Sequence, residues 1–293
     1  MQKQVLLSVA ISTRNRPESL SRCLKSLRAQ SLQPYEIVVS DDSDAPFSHE
    51  VRKIAMDMNC RYVVGPQRGV FANRNRAALA CKGPHVRNMD DDREFPEGHC
   101  EAIQKAVESD PESVWILSET SERPLPFSIL YVPGEIQPTG ISMPPRDWEY
   151  TFAISDGSVV YPKEIFQTHC YLEVFPFGSA YLEFGARLKS LGYRIRYLTT
   201  TYVIHHSQSL PSSFHDRKIF KKSSFLCAHL TYSCYLPNII KSSQCFLYFF
   251  VCSILSHFKI KDCGMNLSDF LEVLRLVKKY SHYFKTKNYK MIC

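Results

Sequence analysis

Apolar and polar positions alternate along the first 120 residues in a repeating way. Val5–Ile11 is a continuous apolar run, cut off by Ser12-Thr13-Arg14-Asn15-Arg16. Pro17 then suits a first helical position, and Leu20, Cys23, Leu24 and Leu27 follow at helical spacing. Tyr35–Val39 is a second short apolar run, ending at Asp41-Asp42-Ser43-Asp44, and a helix over roughly Phe47–Met58 leads to a third strand, Arg61–Val64. After the loop Gly65–Gly69 comes a helix over Val70–Cys81, stopped by Gly83 and Pro84. Val86–Met89 predicts a fourth strand, although Arg87 and Asn88 are polar for a buried one. A helix over Pro96–Glu108 and a strand over Val114–Leu117 complete the series. Strands alternating with helices predict a mostly parallel sheet wrapped on both faces.

Beyond this point the rhythm changes. Six of the 25 residues from Ser121 to Pro145 are proline, which predicts an irregular excursion. Thr151–Tyr161 reads as hairpin or strand, Pro162–Cys170 as a short helix and Ala180–Leu191 as a helix ended by Gly192. Strands over Tyr193–Leu198 and Thr201–Ile204 follow. After Pro211 come Arg217-Lys218, Lys221-Lys222 and an apolar stretch, Cys245–Leu255, too short to span a bilayer. Leu267, Phe270, Leu271, Leu274, Val277 and Phe284 then fall at helical spacing among lysines. The boundaries drawn are 1–210 for an α/β domain (halves 1–118 and 119–210) and 211–293 for a helical appendage.

Composition sharpens only part of this picture. An apolar share of 44% and a charged share of 22% are those of a globular chain. The start reads as a first strand and not as a signal peptide. Eleven cysteines without a C-x-x-C pair point to reduced thiols and away from structural zinc, which suits a cytoplasmic compartment. Charge is uneven: from Arg217 onward 13 Lys and Arg face 3 Asp and Glu, a net +10 within an overall +7. The basic end therefore needs its own explanation: docking on an anionic membrane at the inner face of the cell membrane, helices covering the α/β domain, or a homodimer contact. No nucleic-acid motif accompanies it, so nucleic acid is not an expected partner.

The chemistry concentrates at Asp90-Asp91-Asp92. Adjacent carboxylates raise one another's pKa, and a hard divalent cation such as Mn²⁺ or Mg²⁺ relieves the repulsion while sharing its shell with phosphates. The alternative is a solvated acidic turn before a helix. Thr13–Arg16 and Asp41–Asp44 lie at the same ends of predicted strands, where ligands of open α/β sheets bind.

Four segments in order, Val9–Arg16, Val38–Ser43, Gly69-x-x-x-Asn73-Arg74-Asn75 and Met89–Asp92, resemble family 2 glycosyltransferases of the GT-A fold. Leu182–Leu188, Gly192–Ile195 and His205 resemble that family's acceptor side. The resemblance covers roughly Val5–His206. It implies a Rossmann-like, mostly parallel sheet with helices on both faces. It also implies a nucleotide-sugar donor, usually a UDP-sugar, and metal-dependent inverting transfer to a saccharide or glycolipid hydroxyl, as in polysaccharide or glycolipid assembly. By motif, Thr13 and Arg16 would line the nucleoside pocket, Asp41 would accept a hydrogen bond from the base with Asp42 beside it, and Arg74 and Asn75 would face the nucleotide. Asp90 would meet the ribose or the metal shell, and Asp91 or Asp92 would hold the metal; counting back from Pro96 favours Asp91. His205 would join the metal shell or touch the diphosphate, or be a structural histidine.

One departure matters. The family's acidic pair falls on Ala180-Tyr181 here, so the general base has to be sought elsewhere. Glu183 is the nearest candidate, against a surface helix pair with Arg187 four residues on; Asp147 and Asp156 are alternatives. Trp148 is read as a buried core tryptophan before an acceptor-stacking one. Two other readings remain: a donor-binding protein without turnover, and a sugar nucleotidyltransferase, whose glycine-rich phosphate loop is missing from Ser12–Arg16.

Overall fold

A computed structural model of the chain describes residues 6–121, 130–131, 134–145, 147–148, 151–155, 157–175, 178–206 and 217–286. The chain divides into two compact units built from separated segments. The first is Met1–Val132, Ile154–His169 and Tyr193–Gln208; the second is Pro133–Ala153, Cys170–Gly192 and Ser209–Cys293. Contacts thus group 133–153 and 170–192 with the C-terminal helices, a different division from one drawn at residue 210.

The first unit follows the expected alternation: β1 (Leu7–Thr13), α1 (Pro17–Arg28), β2 (Glu36–Asp41), α2 (Phe47–Asp57), β3 (Arg61–Val64), α3 (Val70–Ala80) and β4 (His85–Asp90). Then come β5 (Arg93–Glu94), α4 (His99–Ser109), β6 (Val114–Ser121) and β7 (Leu130–Tyr131). In the second unit β8 (Glu135–Ile136) and β9 (Ser142–Met143) make a small hairpin. The first unit resumes with β10 (Val159–Pro162) and α5 (Ile165–Thr168). The second adds α6 (Ala180–Ser190), and β11 (Ile195–His205) completes the sheet of the first. That sheet runs β3-β2-β1-β4-β10-β6-β11-β5, with β7 beside β6. Strands β3, β2, β1 and β4 are parallel, and β10 is antiparallel to both its neighbours.

Burial explains the layers. Every residue of β1 is buried. Leu7, Val9 and Ile11, with Ile37, Val39 and Met89, join Leu20, Leu24 and Leu27 of α1, Val51 of α2 and Ile103 of α4 in one core. Each such fully buried aliphatic side chain contributes about 1.5–3 kcal/mol. On the other face α3 packs along β1, β2 and β4. Because the order reverses after β1, the carboxyl ends of β1, β2 and β4 flank a topological switch point.

The polar strand β4 is central despite its composition. Arg87 is fully buried, but its guanidinium donates to the Gly157 carbonyl at 2.8 Å and to His99 Nε2 at 2.6 Å, and lies 4.9 Å over the Phe95 ring. Without those partners the buried cation would cost several kcal/mol, on the order of a whole domain's margin. Burial still pushes Arg87 down to about 10. Asn88 donates to the Arg74 carbonyl at 2.9 Å.

Two boundaries shift for local reasons. Helix α4 begins at His99, not at Pro96, because Gly98 adopts φ +74°, the left-handed region open to glycine. The Gln30 side-chain carbonyl then accepts from the backbone N–H groups of His99 and Cys100, at 3.0 and 3.3 Å. The two expected strands after Gly192 are one, β11, with a bulge between Leu198 and Tyr202.

His99 is buried, its Nδ1–H donating to Thr201 Oγ1 at 2.8 Å while Nε2 accepts from Arg87. Burial first, then the Arg87 charge, hold its pKa well below the usual imidazole value. The unfolded chain therefore takes up a proton that the folded one refuses. The contribution is complete above pH about 6.5 and is lost as pH falls. Urea unfolding at pH 6.5 and pH 5 should show a loss of about 2 kcal/mol, and His99→Gln should flatten that slope. An unchanged slope in the variant would mean another group is responsible.

In the second unit α7 (Arg217–Leu230) runs into a π-helical turn (Thr231–Tyr235), followed by α8 (Ile239–His257) and α9 (Leu267–Thr286). Phe225 stacks on Phe249 and Phe270 at 4.8 and 4.9 Å between ring centres, tying the three helices together. Helix α8 has 19 residues and a mean hydropathy of 1.5, long and apolar enough by length and composition to cross a membrane. That corrects the short apolar stretch read from Cys245 to Leu255. Nine described cysteines are free thiols, and Cys170 is disulfide-bonded, an exception to the all-reduced expectation.

Candidate functional site

The strand register builds the site. Across β2, β1 and β4, Ser40, Ser12 and Asp90 are neighbours, and Thr13 stands opposite Asp41. Asn73 of α3 locks the β1 and β2 ends: its Nδ2 donates to the carbonyls of Thr13 at 3.3 Å and Ser40 at 3.1 Å, and its Oδ1 accepts from Ser40 Oγ at 2.7 Å. Gly65 passes so close that a Cβ there would sit 2.6 Å from Asn73 Oδ1.

Each aspartate of the trio has its own surroundings. Asp90 takes a bidentate grip from Arg74, Nε to Oδ1 at 3.0 Å and Nη2 to Oδ2 at 2.5 Å, and its side chain is 22% exposed. Such a fork is the geometry in which arginine outperforms lysine. Asp91 points inward: Oδ2 accepts from Thr13 Oγ1 at 2.5 Å, and Oδ1 lies 3.1 Å from the Arg16 guanidinium. Burial pushes its carboxyl up to about 7, and the neighbouring Asp92 and Asp90 add to the rise against Arg16 and Thr13. Asp92 meets Arg93 and, at 2.9 Å, Arg16. Burial works against its ionisation, but Arg93, His205 and Arg16 together bring its pKa well below the ordinary value.

The remaining expected residues distribute unevenly. Asp41 is buried, with Oδ1 accepting from the Ser43 N–H at 2.9 Å and Oδ2 from the Tyr62 hydroxyl at 2.9 Å; each oxygen keeps a further lone pair. Asp42 accepts from the Gln67 N–H at 2.8 Å, and burial raises its pKa. Asn75 is buried on α3. Arg14 turns out to solvent and pairs with Asp44 at 3.5 Å, a surface pair, whereas Arg16, 28% exposed, turns in. His205 is 30% exposed and sits between two carboxylates, Nε2 3.6 Å from Asp92 and Nδ1 3.8 Å from Glu119.

Two of the expectations made from sequence need correction. Glu183, in the second unit, has no exposed surface. Arg187 binds both its oxygens, at 2.8 and 3.2 Å, and the Tyr235 hydroxyl donates to Oε1 at 2.6 Å. It is neither a surface pair nor a carboxylate offered to an acceptor. Trp148 is exposed instead of buried, as is Asp147. Asp156 lies outside the described residues.

Tyr62, Glu119 and Arg93 were not anticipated. A tyrosine on a short edge strand carries no signal that its hydroxyl reaches Asp41. Arg93, adjacent to the trio, was the readable hint, since three carboxylates folded into a buried strand end need cations nearby. By donor type, Asp90, Asp91 and Asp92 suit a hard divalent ion, and Asp91 Oδ1 is buried with no hydrogen-bond donor besides that ion pair. Among the described residues no three such groups already converge on one point.

The sequence model of Glycosyl transferase family 2 matches residues 8–129, the stretch that supplies all of this site except His205. The match spans 122 of the chain's 293 residues, so the likeness to that family rests on this segment. Over 111 residues it is 32% identical to the GalNAc(5)-diNAcBac-PP-undecaprenol beta-1,3-glucosyltransferase of Campylobacter jejuni, covering 35% of this chain and 35% of that protein. Among solved structures, S. aureus TarS superposes with a TM-score of 0.60 at 17% identity, over 98% of this chain and 54% of that one. GalNAc-T7 with UDP, GalNAc and Mn²⁺ gives 0.62 at 15% identity, over 96% and 59%. These likenesses show the fold, that of GT-A glycosyltransferases. The chain spans about a third of the curated relative's length and a little over half of each structural neighbour.

Proposed function

We propose that the chain is a glycosyltransferase that moves a sugar, with inversion, from a nucleoside diphosphate sugar to an acceptor hydroxyl on a saccharide or glycolipid. UDP is the favoured nucleotide, because both TarS and GalNAc-T7 have structures with UDP. The observation that carries this reading is the meeting of Thr13, Arg16, Asp41, Arg74 and the aspartate trio at the carboxyl ends of three adjacent strands in the matched segment.

In this reading the Asp41 carboxylate, held by Tyr62 and the Ser43 N–H, faces the donor N–H of the base. Arg16, the more exposed of the two site arginines, contacts the phosphates, and Arg74 fixes Asp90 toward the ribose. Thr13 and Arg16 hold Asp91 in place. Asp91, with Asp90, Asp92 and His205 beside it, would hold Mn²⁺ or Mg²⁺, which would supply positive charge against the departing nucleoside diphosphate.

A second reading, donor binding without turnover, is favoured by one fact: Ala180-Tyr181 lacks the acidic pair and Glu183 is sealed in an ion pair. Calorimetry with UDP and then a nucleotide-sugar panel scored by UDP release separate the two. The expected result is UDP binding tightened at least tenfold by Mn²⁺, with release from one donor. Binding without release from any donor moves the protein to the second reading, and no UDP binding with or without Mn²⁺ removes both.

A further inference from the structure

Helix α8 leaves one face bare. Cys245, Phe249 and Ser253 point into the second unit's core, while Ile240, Leu247, Val251 and Phe258 recur on the opposite side. Exposure is large for aliphatic side chains: 83% for Ile239, 61% for Leu247 and 70% for Ile260 just past the helix. Single exposed apolar residues are ordinary, but a contiguous stripe of them on one helix is an interaction surface.

The charge around the stripe selects its partner. From Ile239 to Lys261 there is no Asp or Glu, and Lys259 and Lys261 stand exposed beside Phe258 and Ile260. The acidic side chains nearest in sequence are already paired: Asp262 with Arg217 at 3.1 Å, Asp269 with Lys218 at 2.8 Å and Glu272 with Lys222 at 2.5 Å. A surface both apolar and cationic fits the headgroup and upper acyl layer of an anionic bilayer. A second copy of this stretch would offer those lysines no carboxylate, since none lies between Ile239 and Lys261. A full crossing by α8 alone is disfavoured by its packing: Phe225 of α7 and Phe270 of α9 hold its inner face, and both those helices carry many lysines.

We propose that α8 and the Phe258–Lys261 turn form a membrane-docking surface, with the helix lying in the plane of an anionic bilayer and its Ile240–Leu247–Val251–Phe258 stripe among the acyl chains. Helix α9, the amphipathic segment singled out from the sequence, is not this surface, because Phe270, Val273 and Phe284 are buried.

Vesicle co-sedimentation of the whole chain, without nucleotide or metal, tests this independently of sugar transfer. The chain should sediment with phosphatidylglycerol-containing vesicles and at least tenfold less with pure phosphatidylcholine. Leu247→Glu combined with Phe258→Glu should abolish the binding, with unchanged circular dichroism. Lys259→Glu with Lys261→Glu should remove the preference for anionic lipid, and Leu247→Trp should shift its fluorescence to the blue on adding vesicles. No sedimentation with either vesicle overturns the proposal. So does a concentration-dependent dimer in ultracentrifugation that Leu247→Glu dissolves while vesicle binding persists, which would make the stripe a contact between copies.

Discussion

Glu183→Ala is expected to destabilise the protein by about 3–5 kcal/mol, because it leaves the fully buried Arg187 guanidinium without its carboxylate. Against a typical margin of about 5–15 kcal/mol, that is enough to show as low yield and an early urea midpoint. The isosteric Glu183→Gln separates structure from chemistry. Its side-chain oxygen still accepts from Tyr235, so it should fold, yet it places a neutral amide against Arg187 and should lose part of the same stability. If Glu183 only holds α6 to Arg187 and the π-helical turn, the folded fraction of Glu183→Gln keeps its turnover. If it removes the acceptor's proton, turnover per folded molecule falls by orders of magnitude. The burial favours the first outcome, and turnover per folded molecule that collapses would reinstate Glu183 as the base.

The reason Glu183 was misplaced from sequence is general. A Glu–Arg pair four residues apart reads identically on a wet helix face and in a sealed interior. What decides is Tyr235, 52 residues away, whose hydroxyl closes the site. The strand and helix alternation was legible because each apolar run is short and each break polar, so β1 to β4 and α1 to α4 emerged within a few residues of their bounds, while the two-residue β5 carries no periodicity to read. Strand β4 shows the limit. Its polar Arg87 and Asn88 argue against a central strand until His99, Gly157 and Phe95, all distant in sequence, are seen to satisfy them. Helix α8 shows another: Ser242, Ser243 and Gln244 break the apolar run on paper, yet the helix runs through them from Ile239 to His257. The strand-end polar clusters were legible as a common address. Which side chain turns in and which turns out, as Arg16 and Arg14 do, was not.

The second large effect concerns Asp91. Asp91→Asn should lower turnover at least 100-fold, about the loss seen when one charge-stabilising group is removed from a transition state, and should abolish the gain in UDP affinity on adding Mn²⁺. Stability should move the other way. Burial, with Asp92 and Asp90 close by, has lifted the Asp91 carboxyl to about 7, so the folded protein disfavours its ionised form. An Asp with a raised folded pKa stabilises the fold below its ordinary value near 4 and loses that contribution as pH climbs through 7. In metal-free buffer at pH 8, a neutral asparagine that still meets Thr13 Oγ1 should therefore melt no lower than the parent, and by this sign higher. Activity lost with stability kept or gained marks a residue retained for its chemistry at a cost to the fold. A variant that melts well below the parent in EDTA, and that still releases UDP at the parental rate per folded molecule, would make Asp91 a structural anchor for Thr13 and Arg16. The cation site would then have to be sought at Asp90 and Asp92 alone.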